Sequence, residues 1–151
     1  MNRQRFPRRL FGSLIVCALS STAAVRTADA KCFPPRVPPA PTNVRAEFLS
    51  DSSGNPVHDS LLVKWNPIVT VDFGGSCTDP VVWYFVQSFD GTMGQNGPSL
   101  LISASEAHQR WPDAGAILSG LTQGHGYAFA VIAWNVNGWG AWSNWSTSWQ
   151  P

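Results

Sequence analysis

Beyond residue 30, the groups able to do acid–base or ligand chemistry are three histidines, two cysteines and a scatter of carboxylates. His58 sits in a turn-rich connection, His108 in a helix-friendly stretch, and His125 in a turn just before Tyr127. Each reads as a solvated residue rather than a base. No serine stands in a nucleophile-elbow sequence that would strain its hydroxyl out toward a histidine. Asp51, Asn55 and Asp59 share one short stretch of oxygen ligands, but their spacing is not that of an EF-hand loop. Cys32, Cys77 and three dispersed histidines do not make the four-ligand spacing of a zinc site. The expectation is a chain with no catalytic residues, no metal and no cofactor, which works by contact rather than by reaction.

The unusual chemistry is aromatic. All eight tryptophans (Trp65, Trp83, Trp111, Trp134, Trp139, Trp142, Trp145 and Trp149) lie beyond residue 30. Trp139, Trp142 and Trp145 recur every third residue, the period of polyproline II, which would align them on one face about 9 Å apart. Rings in a row suit stacking on sugars, and they equally suit a protein partner, for which tryptophan is a favoured anchor. The plainer alternative is a regular strand, in which Trp142 points opposite to its two neighbours.

Short strands must position these rings. Val44, Ala46 and Phe48 alternate with Arg45 and Glu47, and Asp51 to Pro56 is dense in turn residues. Leu61, Val63 and Trp65 alternate up to Asn66-Pro67. The runs Val81–Phe89 (closed by Asp90-Gly91), Leu100–Ile102, Ala116–Leu118 and Tyr127–Asn135 follow. Ser103 to Arg110 is the one helix-friendly stretch, and Trp111-Pro112 ends it. Six or seven short strands in about 110 residues predict an all-β, antiparallel two-sheet sandwich. The thirteen glycines and twelve prolines argue against long helices.

The first thirty residues read as an address. Arg3, Arg5, Arg8 and Arg9 precede the apolar run Leu10–Leu19, and Ala28-Asp29-Ala30 offers a cleavage site. That is the order of a secretory signal peptide, with a secreted or periplasmic destination. No other apolar run is long enough to span a membrane, so no transmembrane segment is expected after cleavage. Residues 31–151 keep five basic and eight acidic side chains, a net of −3. That is no footprint for nucleic acid. Cys17 leaves with the signal, and the two cysteines left in an exported chain pair by default, as Cys32–Cys77. The expected organisation is a signal peptide at 1–30, a proline-rich leader at 31–40 and one domain at 41–151.

Several segments resemble a fibronectin type III module. Pro39-x-Pro41-x-Asn43-Val44 resembles that family's first strand, and Leu61-x-Val63-x-Trp65-Asn66-Pro67 the second with its core tryptophan. Tyr84-x-Val86 is similar to the third. Leu121 to Asn135 resembles the tyrosine corner running into the sixth strand, with Tyr127 bonding back across the turn. Asn137-Gly138-Trp139-Gly140 and Ser143 resemble the loop and entry to the last strand. The connections Ser50–Ser60 and Pro67–Pro80 look long beside that pattern. In this topology Cys32, before the first strand, and Cys77, after the second, share one pole.

The resemblance implies a β-sandwich that acts as a binding or adhesion module. It also makes the third and sixth strands neighbours. With Tyr84 and Val86 inward, Trp83, Phe85 and Phe89 face out. With Tyr127, Phe129 and Val131 inward, Ala128, Ala130, Ile132 and Trp134 face out. The expected partner-binding patch is therefore Trp83, Phe85, Phe89, Ile132 and Trp134, because soluble domains rarely expose such a surface without a use. A one-residue register error or a covering loop would remove it. Trp142-Ser143-Asn144-Trp145-Ser146 is similar to the W-S-x-W-S box of cytokine receptor modules, but no arginine stands at 128, 130 or 132 to stack with its rings. In a eukaryotic source Asn144 would be a glycosylation acceptor. The expected function is a secreted, non-enzymatic binding module with a protein partner. The alternatives are a glycan-binding module using Trp139, Trp142 and Trp145, or a structural domain that associates with itself.

Overall fold

The computed structural model describes residues 35–68, 79–109 and 112–151. The signal segment, Cys32, Cys77 and Trp111 lie outside the described residues, and with them the expected disulfide. Seven strands and one short helix follow in order: β1 (Thr42–Ser50), β2 (Pro56–Asn66), β3 (Trp83–Asp90), β4 (Gln95–Ser103), α1 (Ala104–Gln109), β5 (Ala114–Ser119), β6 (Tyr127–Asn135) and β7 (Gly138–Trp139). They form two antiparallel sheets, β1-β2-β5 and β4-β3-β6-β7. This is the expected sandwich, with β3 beside β6 as the resemblance implied.

Period-two alternation builds the core. From one sheet Ala46, Leu61, Val63, Trp65, Ala116 and Leu118 point inward, and from the other Tyr84, Val86, Phe129 and Val131 meet them. Trp65 is fully buried, with its ring 5.1 Å from that of Tyr84. The Tyr127 hydroxyl accepts the Thr122 amide hydrogen at 3.0 Å, which closes the tyrosine corner across the turn.

Local chemistry sets the ends. Asp51 Oδ1 accepts from the amides of Ser53 and Asn55, both at 2.8 Å, and Gly54 takes a φ of 84° that a side chain would resist. The β1–β2 connection is therefore a tight turn, not the long one the sequence suggests, because β2 already begins at Pro56. That places His58 within β2 rather than in a turn. Asp51 is spent on holding its own turn, and those hydrogen bonds, led by the Asn55 amide, keep its carboxyl below the ordinary aspartate value. Helix α1 starts with a reciprocal cap. The Ser103 hydroxyl accepts the Glu106 amide hydrogen at 3.2 Å, and the Glu106 carboxylate accepts from the Ser103 amide at 3.2 Å.

From residue 35 on, the proline-rich stretch packs against the sandwich. Pro38 and Pro41 are fully buried. The Arg36 carbonyl accepts from the side-chain amides of Asn135 at 2.8 Å and Asn137 at 3.0 Å. A Cβ on Gly140 would lie 2.1 Å from the Pro38 carbonyl oxygen, so only glycine admits this approach.

Candidate functional site: an aromatic array on one sheet face

The β3–β6 register decides what the outer face offers. Trp83 pairs with Trp134, Phe85 with Ile132, Gln87 with Ala130 and Phe89 with Ala128. Opposite Gln87 and Phe89 the outward positions of β6 carry only methyl groups, which leaves room above that strand.

The segment after β7 fills that room. Its amides at Gly140, Ser143, Ser146 and Trp149 donate to the carbonyls of Ala133, Val131, Phe129 and Tyr127 at 2.8–2.9 Å. Three residues of this segment thus match two of β6, repeatedly. The hydroxyls of Ser143 and Ser146 accept the amide hydrogens of Val131 (2.9 Å) and Phe129 (3.0 Å), so these two donors of β6 meet side chains instead of backbone. A segment with this period presents every third side chain to the same side. Trp139, Trp142 and Trp145 accordingly line one face rather than alternating as in a regular strand.

Their rings interlock with those of β3 and β6. Trp139 lies 6.5 Å from both Phe85 and Trp134, Trp142 lies 6.0 Å from Phe85, and Trp145 lies 6.1 Å from Phe89. All four pairs meet edge-on or tilted, as ring quadrupoles prefer. The five-residue patch and the tryptophan row, separate in the sequence, are one array. Its outermost layer is the row, with Trp139, Trp142 and Trp145 all about half exposed (46%, 48% and 51%). Trp83 is exposed at one end, whereas Phe85, Phe89 and Trp134 are half-buried beneath the row. Ile132 is buried at 8% exposure, which corrects its expected place at the contact surface. Its cross-strand neighbour Phe85 carries two tryptophan rings, and a shorter side chain sinks below them. The array holds no titratable group, so it can bind but offers no proton to move.

The histidines lie elsewhere. His125 is not a solvated loop residue: its Nδ1 is 2.8 Å from Oδ2 of buried Asp90, and its ring stacks on Tyr127. Burial pushes the Asp90 carboxyl up, but hydrogen bonds from His125, Met93 and Thr92 outweigh that and hold it below the ordinary value. Nothing in the sequence pairs residues 35 apart, so this contact was not legible there. His108 is solvent-exposed, as expected, with its ring 5.9 Å from that of Tyr84, and partial desolvation lowers its pKa. Among the described residues no group of three or more His, Cys, Asp or Glu side chains is placed to hold a metal ion. No described helix is long and apolar enough to cross a membrane.

No family model matches the chain, and no curated protein matches it. Among solved structures it is similar to the FN1–FN3 domains of chicken CNTN1, at a TM-score of 0.51 and 18% identity over 76% of this chain. It is also similar to domains A168–A170 of titin, at a TM-score of 0.49 and 20% identity over 76% of this chain. The chain spans about a third (32%) of the length of each of these structures. Strand order, tyrosine corner and the CNTN1 likeness agree, and the chain has the fold of a fibronectin type III-like β-sandwich.

Proposed function

We propose that this chain is an exported, non-enzymatic adhesion module that engages a protein partner through the aromatic array. One observation carries the reading. Rings from β3, β6 and the segment after β7 gather on one sheet face, and their outermost tryptophans stay about half exposed. Contiguous apolar area of this kind marks interaction sites on soluble domains. Tryptophans that are already oriented lose little freedom on binding and serve as anchors. Export rests on the arginine-rich start, apolar run and Ala28-Asp29-Ala30 site of the first thirty residues. The mature chain would begin at Lys31 and carry a Cys32–Cys77 bridge.

The test is cross-linking of the exported protein to its native surroundings, with a Trp83→Ser, Trp139→Ser double variant run beside it. The expected result is a discrete cross-linked partner that the variant loses at unchanged thermal stability. A partner retained by the folded variant, or a variant that unfolds, would overturn the assignment. Sedimentation of the protein alone separates this reading from self-association.

A further inference from the structure

Within the array lies a trough that runs across the sheet. One wall is Trp142 with Phe85 at its edge, and the other is Trp145 with Phe89. The floor is Ala130 and its cross-strand partner Gln87, and Asn96 of β4 stands at the far end. Its volume is about 390 Å³. Along a period-three segment the two tryptophans repeat at about 9 Å, too far to stack on each other and wide enough to admit a flat ring.

The polar groups of the trough are few and neutral. Ser143 is spent, because its hydroxyl accepts from Val131 and donates to the Asn144 carbonyl at 2.8 Å. Gln87 Nε2 donates to the carbonyls of Ser88 at 2.8 Å and Gly97 at 3.2 Å, which fixes the side chain and leaves Oε1 as its acceptor. The Asn96 side chain is exposed, with its amide available as both donor and acceptor. No charged residue lines the trough. A cation entering it would find aromatic faces but no carboxylate to pair with, and an anion would find no base.

We infer that the trough between Trp142 and Trp145 is a pyranose subsite, taking one neutral sugar ring of a glycan borne by the partner. A pyranose presents C–H groups on its faces, which suit the electron-rich faces of the two indoles. Its hydroxyls lie around the rim, where Gln87 Oε1 and the Asn96 amide can meet them. Apolar walls with a few placed polar groups are the usual build of a small-ligand site. The inference rests on the reading of the array as the contact surface, and names the chemistry one part of it recognises.

The experiment is titration of the full exported protein with cellohexaose and with chitohexaose, read by tryptophan fluorescence and by calorimetry. Saturable binding of either is expected. Trp142→Ala and Trp145→Ala should each weaken it by about tenfold or more, the loss expected for one well-packed anchor. Gln87→Leu should weaken it in protein that still unfolds cooperatively, and Val136→Ser, in the exposed β6–β7 turn outside the array, should leave it unchanged. Absence of binding to both hexaoses, or binding indifferent to Trp142→Ala, Trp145→Ala and Gln87→Leu, would overturn the proposal. So would a preference for hexa-arginine lost in the same variants, which would give the trough to a cationic partner. Cross-linking to a partner that survives loss of sugar binding would leave the adhesion reading standing while this one falls.

Discussion

Ser143 and Val131 hold each other twice. The Ser143 amide donates to the Val131 carbonyl at 2.9 Å, and the Ser143 hydroxyl accepts the Val131 amide hydrogen at 2.9 Å. A side chain here substitutes for the backbone acceptor that a regular strand would supply, which lets the segment keep its three-residue step beside β6.

Ser143→Ala should therefore strand a buried amide. The expected loss is about 1–3 kcal/mol in urea unfolding, the cost of an unsatisfied buried donor. Ser146→Ala, at the half-buried repeat of the same bond to Phe129, should cost less because water can reach it. Equal, negligible losses at both positions would mean that the hydroxyls do not hold the segment.

Trp65 fills the centre between the sheets. Trp65→Ala should cost about 3–5 kcal/mol, through lost transfer energy and a residual cavity. The denaturation midpoint measures this, and an unmoved midpoint would contradict the packing.

Gly140→Ala forces a methyl against the Pro38 carbonyl. Backbone must shift on one side or the other, at about 1–3 kcal/mol. Limited proteolysis should cut near residues 35–41 faster in the variant, because the Arg36 contacts to Asn135 and Asn137 loosen with it.

Asp90 and His108, with Asp51, contribute to the acid limb of stability. The Asp90 carboxyl is held below its ordinary value, so its contribution is present above the unfolded pKa and fades as pH falls through the folded one. Asp90→Asn should lower stability at neutral pH and flatten the loss below about pH 4. His108 is lowered by burial, so the unfolded chain takes up its proton first and stability falls as pH drops through about 6.5. His108→Gln should flatten that shallower step. Unfolding curves from pH 7 to 3 on the two variants distinguish them.

Intact-mass analysis of exported protein tests the ends of the chain. The expected species starts at Lys31 and lacks two hydrogens, one Cys32–Cys77 bridge. Closing a loop of about 45 residues would stabilise by about 4 kcal/mol in the chain-entropy model. Alkylation of both thiols without reduction would refute the bridge.

Much of the fold was legible because its signals are local. Leu61, Val63 and Trp65, and Tyr127, Phe129 and Val131, alternate cleanly, and alternation assigns a face without knowledge of the partner strand. The same logic put Phe85 and Phe89 outward. What the sequence could not yield is what lies above them. Trp142 in a regular strand and Trp142 in a three-residue step point to opposite sides, and the backbone and serine hydroxyl bonds to β6 choose between them. Ile132 followed from this: alternation turned it outward, but the rings resting on Phe85 bury it. The packing of Pro38 on Gly140 is equally non-local, since nothing in a run of prolines names the glycine it meets a hundred residues later.

The three-residue step of residues 140–149 also changes how the sheet ends. A regular last strand would show solvent a flat row of unpaired amides and carbonyls, a template on which another chain can zip. Here the amides at 140, 143, 146 and 149 turn back to β6, and those between them do not follow the two-residue repeat that an incoming strand needs. Filament growth by sheet extension is thereby blunted along this border, without a charged or proline gatekeeper. What this border shows a neighbouring chain is a ringed face and not an open seam.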